Sequence, residues 1–378
     1  MIEDLSVVKV FNSRGEETVK VYAHTDAGTF SSIAPGGASK SSFEPVYLPW
    51  REIEKIFPEV KKRLAGRKEE EADRILQKIG GRRFGKIGGN LAIAISQACW
   101  KSLWSTEREK SIFPVPLSNV IGGGAHGGFT SIQEFLVFPK RAKTMEDAIA
   151  TNVAIWKEIK SIAAARGYYG KNDEGAIVLR ESEEKCLELL SGIAERYDAS
   201  IGVDVAATQF YERGAYSFSE RKYKREEFVD KIAELITTYG IKYVEDPFHE
   251  RDFESFAELT RKFGKRVIVC GDDLYSTNYL RLKRGAERKA SSGIIIKPNQ
   301  AGTVSLALKA VELARKNNIV PVASHRSGES EDWFIAEFAL RACCPLLKCS
   351  VSGSERFAKW NYLMEKWERV EKARMARI

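Results

Sequence analysis

A series of short apolar runs in the last two thirds of the chain stops, almost every time, at a charged or catalytic-type side chain. The runs are FLVF, IGVDVAA, IKYVEDP, VIVCGDD, GIIIKPN, IVPVASH and LLKCS, and the closing residues are Asp204, Glu245, Asp272, Lys297, His325 and Lys348. Strands without polar alternation suit a parallel sheet covered on its outer face. Amphipathic stretches separate most of the runs. In one of them Phe228, Val229, Ile232, Leu235 and Ile236 share a stripe, with acids and Lys231 opposite. A doubly wound sheet would spread its strand-end residues along an edge. In a TIM-type β/α barrel all the C-terminal ends meet at one mouth. The expectation is therefore an α/β fold of the barrel kind, with its chemistry at that mouth.

The first part of the chain reads differently. Residues 1–48 alternate as strands (VVKVF, TVKVYAH, TFSSIA) around a turn at Thr25–Asp26–Ala27–Gly28. Residues 51–79 are charged and helical, and a second helix is predicted from about Asn90 to Trp104. The stretch Ser105–Pro116 carries charges and two prolines and reads as a linker. The expected organisation is a smaller N-terminal α+β capping domain, 1–110, and a barrel domain, 111–378.

The net charge of +8 fits an anionic substrate as well as a solvated basic surface, so it does not discriminate. No apolar run approaches the roughly 20 residues that span a bilayer. The start, MIEDLSVVKVFNSRG, alternates like a strand and is not read as a signal peptide. Cys99, Cys186, Cys270, Cys343, Cys344 and Cys349 lie in apolar runs without disulfide or zinc spacing, which points to the cytoplasm. Membrane and nucleic-acid partners are not expected.

Two glycine motifs fail as phosphate loops. GGRRFGK has Ile87 where a P-loop needs Ser or Thr, and GGGAHG precedes a strand rather than a helix. The acids are more informative. Asp204, Glu245 and Asp272 at one apolar mouth would repel unless neutralised by a cation or by Lys and Arg partners. Carboxylate oxygens without nearby cysteine or histidine favour magnesium over zinc. Lys297 and Lys348 are each a candidate general base or a counter-ion to the acids. Glu134 and Glu174 lie in IQEF and NDEGA, and His126 and His325 in turns. Arg326 and Ser327 offer a fork and a hydroxyl for phosphate.

These residues sit in blocks whose order resembles the enolase family from the first strand to the last helix. The blocks are FNSRGEETV, PGGASK, NVIGGGAHGG, IQEF, DEG, DVAA, VEDP, GDD, KPNQAGT, SHRSGE and LKCSVSGSERFAKWN. The resemblance implies an enolase-type barrel with a capping domain, in a homo-oligomer. It implies the phosphopyruvate hydratase activity of glycolysis and gluconeogenesis, on a small phosphorylated acid. Asp204, Glu245 and Asp272 would hold one Mg²⁺, and Ser39 a second one shared with the substrate phosphate. Lys297 would be the base and Glu174 would assist departure of hydroxide. Lys348 would contact the carboxylate, and Arg326 with Ser327 the phosphate. Gln133, Glu134, His126 and His325 would complete the pocket.

The chain departs from the family pattern in several places. It is shorter than typical members, PGGASKSS replaces P-S-G-A-S-T-G, and NDEGA and GAHGG change the support of their chemical side chains. Lys40 thus stands where the pattern has threonine. Two alternatives follow: a paralogue dehydrating another phosphorylated or acid-sugar substrate, and a non-catalytic homologue that binds RNA or another anion.

Overall fold

The structure is a computed structural model that describes residues 1–378 apart from Ser39, Lys40 and Tyr169. The chain begins with an antiparallel meander: β1 (Ile2–Phe11), β2 (Glu17–Thr25) and β3 (Gly28–Ile33). The predicted turn closes β2 onto β3, with Thr25 opposite Gly28. Helices α1 (Trp50–Leu64), α2 (Glu69–Gly80) and α3 (Gly89–Ser105) follow. α3 is apolar on nearly every side and buried, because it is wedged against β2 and β3 on one flank and α2 on another. The P-loop-like GGRRFGK ends α2 and makes a single tight turn at Arg82–Phe84, not a strand-to-helix loop.

Eight strands then close a barrel. In spatial order they are β4 (Val115–Gly122), β5 (Glu134–Pro139), β6 (Ala199–Asp204), β7 (Tyr243–Glu245), β8 (Ile268–Gly271), β9 (Gly293–Ile296), β10 (Val320–Ser324) and β11 (Leu346–Lys348). β11 pairs back onto β4, with Leu347 beside Pro116. The architecture is the expected α/β barrel, with one correction. The sheet is not wholly parallel: β5 runs antiparallel to both β4 and β6. The connection from Gly122 to Glu134 is too short for the helix a parallel return requires, so the chain doubles back as a hairpin. The linker expected up to Pro116 also ends earlier, since Val115 and Pro116 already belong to β4. Pro116 lacks a donor, and the ladder is carried by its neighbour Val115, whose N–H reaches the carbonyl of Pro345 at 2.9 Å.

Alternation along the strands separates two cores. Leu117, Leu136, Tyr243, Cys270, Ile295 and Val322 fill the barrel interior. Ile294 and Ile296, on the other face of β9, join the larger core under the helices. The predicted stripe on the helix Arg225–Tyr239 is buried there, from Phe228 to Ile236. Capping stops the long helix Met145–Ala165 from fraying: Thr144 Oγ1 accepts from the Asp147 N–H at 3.0 Å and the Asp147 carboxylate answers at 3.2 Å. No helix among the described residues is long and apolar enough to cross a membrane.

Candidate active site

The strand-end rule delivers its residues to one place. Asp204, Glu245 and Lys348 are the last residues of β6, β7 and β11. Asp272, Lys297 and His325 each follow the last residue of β8, β9 and β10. Lys348 is the hub. Its ammonium lies 2.8 Å from Glu245, 3.0 Å from Asp204 and 3.1 Å from Glu134. These three carboxylates raise its pKa well above the usual lysine range, against the burial that lowers it. A second pair joins Lys297 to Asp272, and Asp272 raises the Lys297 pKa despite the opposing desolvation.

The three acids expected at a metal end at the same mouth but on different lysines, Asp204 and Glu245 on Lys348 and Asp272 on Lys297. Asp204 and Asp272 face the cavity. Glu245 is fully buried and lies behind them, its second oxygen accepting from the Tyr243 hydroxyl at 2.6 Å. Two acids that the sequence reading passed over stand beside Asp272. One oxygen each from Asp246, Asp272 and Asp273 lies within 4.8 Å of the others. Asp246 also organises the turn, accepting the backbone N–H of Asp272 at 3.0 Å and of Asp273 at 2.6 Å. It does so at φ 39°, and Ala206 across the mouth has φ 46°, a backbone strain of the kind functional sites retain. Both acids were visible as neighbours of the chosen ones in VEDP and GDD.

The donor set suits a hard divalent cation, because it is all carboxylate oxygen and in excess over the lysines present. The excess shows in the titration. Burial, then the charge of Asp204, pushes Glu245 up to about 8, and burial, then Asp272, pushes Asp273 up to about 7. Acidic groups that can hold a metal are thus present. Ser39, expected at a second ion, lies outside the described residues, as does Lys40.

On the other side of the cavity a carboxyl–imidazole cluster forms. His126 Nδ1 lies 3.7 Å from Glu174 and 3.9 Å from Glu134, and His325 Nε2 lies 3.6 Å from Glu174. Asn119 donates to Glu174 at 3.3 Å. Burial raises the Glu174 pKa, but the two histidines more than reverse it and hold the group well below the usual carboxylate range. Burial raises Glu134 well above that range. Two carboxyls pushed apart in this way mark a site able to store and move a proton. Gly175, next to Glu174, has φ 81° and abuts Ser352, where a Cβ would approach within 2.7 Å, so the turn needs glycine. Gln133 donates to Asp204 at 3.3 Å.

Arg326 and Ser327 are engaged by the segment that follows β3. Glu44 accepts from both terminal nitrogens of Arg326 at 3.1 Å, and Ser327 Oγ accepts the N–H of Ala38 at 2.7 Å. Gly37 lies on the guanidinium, where a Cβ would come within 1.9 Å of it. Arg356, wholly buried, holds the loop from below through the carbonyls of Arg326 and Ser327 at 2.6 and 2.8 Å. The cavity is about 40 Å³, room for little beyond water. No motif in the sequence contains Glu44, whose importance rests on a partner nearly 300 residues distant, whereas Arg356 lies in the block SERFAKWN without a role assigned to it.

Comparison with known proteins agrees with this geometry. The family model described as "Enolase, C-terminal TIM barrel domain" matches residues 110–376. The chain is similar to the protein named Enolase of Archaeoglobus fulgidus, 41% identical over 400 aligned residues that cover 100% of both chains. It is similar to Enolase of Natronomonas pharaonis, 38% identical over 96% of this chain and 98% of that one. It is also similar to Enolase of Methanosphaera stadtmanae, 37% identical over 100% of this chain and 99% of that one. A match of this length and identity, over a barrel whose strand ends carry the expected residues, makes the chain a member of the enolase family.

Proposed function

We infer that the chain is a lyase, a phosphopyruvate hydratase that interconverts 2-phosphoglycerate and phosphoenolpyruvate. The observation that carries the reading is the single cavity shared by Lys297, Lys348, Asp204, Asp272 and the Glu134–Glu174–histidine cluster. A proton beside a carboxylate is very weakly acidic, because its loss adds charge to an anionic group. Asp204, Glu245 and Asp272 would hold magnesium, with Ser39 a ligand to a second ion, and such ions would supply electrostatic stabilisation of that added charge. The enolase superfamily's use of a Lys or His base with such ions is general knowledge of the fold.

Lys297 takes the proton once its Asp272 partner is engaged elsewhere, since that carboxylate is what keeps the amine charged. Lys348 binds the substrate carboxylate, and Arg326 with Ser327 the phosphate. Glu134 and Glu174 together pass a proton to the departing hydroxide. The sequence reading gave that task to Glu174 alone. The opposed titration of the pair favours a shared role, with Glu134 as the protonated member. His126, His325 and Gln133 orient the acids.

The same reading takes residues 1–110 as a capping domain and 111–378 as the catalytic barrel. From the N-terminal side of that boundary Gly37, Ala38 and Glu44 line the mouth. The reading also takes the protein as a cytoplasmic homo-oligomer, and the six free cysteines accord with a reducing compartment. No observation favours the paralogue or the RNA-binding alternative.

The test is the ultraviolet absorbance of the enol product when 2-phosphoglycerate is added with Mg²⁺. Signal is expected with the metal and none after chelation; folded protein without turnover overturns the reading. A sharper expectation concerns Glu44, which occupies the guanidinium assigned to phosphate. Glu44→Gln removes a charge-assisted competitor, so KM is expected to fall roughly tenfold with kcat little changed. Initial rates across substrate concentration decide it, and a rise in KM would show that Glu44 serves closure instead.

A further inference from the structure

The opposite end of the barrel holds a second cavity, far larger than the first, of about 940 Å³. Five barrel strands line it from the end away from the active site: Val115 opens β4, Phe138 nearly ends the reversed β5, and Ser200, Ile268 and Val320 lie at the starts of β6, β8 and β10, while Lys242, Ser292 and Pro345 immediately precede the other three. This face of a β/α barrel ordinarily serves stability rather than chemistry. Here its floor is apolar, formed by Val115, Phe138, Ile268, Val320 and Met375 at the bottom of the interior core.

The rim is the unusual part. Lys140, Arg141, Lys242, Lys265, Arg266 and Arg377 line the opening, all exposed, and no Asp or Glu side chain lines it. Elsewhere the chain pairs its cations freely, down to exposed helical pairs such as Arg63 with Glu59. None of the six rim cations makes an ion pair among the described residues; Arg266 touches only the Phe263 ring, at 5.9 Å. The net charge of the whole chain is +8, so six unpaired cations around one hole are a large share of the surplus. Cations scattered on a convex surface are merely solvated. Six that surround an apolar concavity focus a positive potential into it. The volume lies in the range of small-molecule sites, which combine apolar walls with a few convergent polar groups.

We propose that this cavity binds an organic polyphosphate with a flat apolar body, the chemistry of a nucleoside triphosphate. The ring lies on the Phe138–Met375 floor, and the phosphates reach the rim, where arginine forks and lysine point charges both recognise phosphate. No covalent step is involved, and the site is independent of turnover at the other mouth.

The experiment is calorimetric titration of the full chain, in chelator, with ATP, inorganic triphosphate and adenosine as separate probes. Wild type is compared with Lys265→Glu/Arg266→Glu and, as a second reversal on another loop, Lys140→Glu/Arg141→Glu. The expected result is saturable one-to-one binding of ATP, at least tenfold tighter than triphosphate or adenosine. Binding is expected to weaken by at least tenfold in either variant and steeply with added salt. Enolase turnover and the unliganded melting temperature serve as fold controls and are expected to match wild type. The proposal is overturned by absence of saturable ATP binding, by ATP binding insensitive to both reversals, or by displacement of ATP with 2-phosphoglycerate. Triphosphate binding as tightly as ATP overturns it too, because the apolar floor would then play no part.

Discussion

Lys297→Ala is expected to lower kcat by about a thousandfold, the scale of a lost general base, while KM changes far less. The expectation comes from position. Lys297 leaves the end of β9 into the cavity, its side chain 13% exposed, with Asp272 as its ionic partner. An alanine there leaves no amine to accept the proton next to the substrate carboxylate. Loss of Asp272's partner is a rival explanation, and it predicts a different pattern. The distinguishing measurement is exchange of that carbon-bound proton with deuterated solvent, followed separately from dehydration. Lys297→Ala is expected to lose both. Glu174→Gln, which removes a group on the histidine side, is expected to retain exchange while dehydration falls roughly a hundredfold or more. If Lys297→Ala still exchanges the proton at the wild-type rate, the base lies elsewhere.

Asp332→Ala is expected to cost about 3–5 kcal/mol of unfolding free energy, the range for breaking a buried ion pair by removing one partner. Asp332 is the knot between the N-terminal sheet and the barrel. One oxygen accepts from Lys101 at 2.6 Å and from the Phe334 N–H at 2.9 Å. The other accepts from Ser32 Oγ at 2.6 Å and the Ile33 N–H at 2.8 Å. Deletion strands the Lys101 ammonium, whose side chain is only 5% exposed, over the Trp333 ring. Urea unfolding with an unchanged m-value checks the magnitude. Lys101→Met/Asp332→Ala is expected to recover part of the loss, because no charge is left buried, though the Ile33 and Phe334 donors remain unsatisfied.

The same group carries a pH signature. Burial raises the Asp332 pKa, but Lys101 and the other donors more than offset that and leave it below the usual carboxylate value. A depressed folded pKa contributes stability that is present above the unfolded value, about 3.9, and lost as pH falls through the folded one. Wild type is therefore expected to lose more stability on acidification than Asp332→Ala. Equal acid slopes in the two proteins would mean that the pair does not couple to folding.

How much of this was legible beforehand depends on whether the information is local. The strand-end residues were readable because an apolar run has an end, and parallel strands put their ends together; Asp204, Glu245 and Lys348 all close their strands as expected. The β2–β3 turn was readable for the same reason. The reversal of β5 was not, since an apolar strand carries no arrow in its side chains. Nor was the burial of Glu245 behind Asp204, which depends on the Tyr243 hydroxyl and the Lys348 ammonium arriving from two strands.

Residue order by itself determined the barrel, the N-terminal sheet, the chemical types gathered at the mouth and the family to which the chain belongs. Those follow from periodicity and motif, which act over a few residues at a time. Tertiary structure alone decided which charges pair: Lys348 with three acids, Glu44 with Arg326, Asp332 with Lys101, and, among the described residues, no Asp or Glu with the six cations at the far end. Electrostatic partnership falls off with distance in space and is indifferent to separation along the chain, so only the folded coordinates record it.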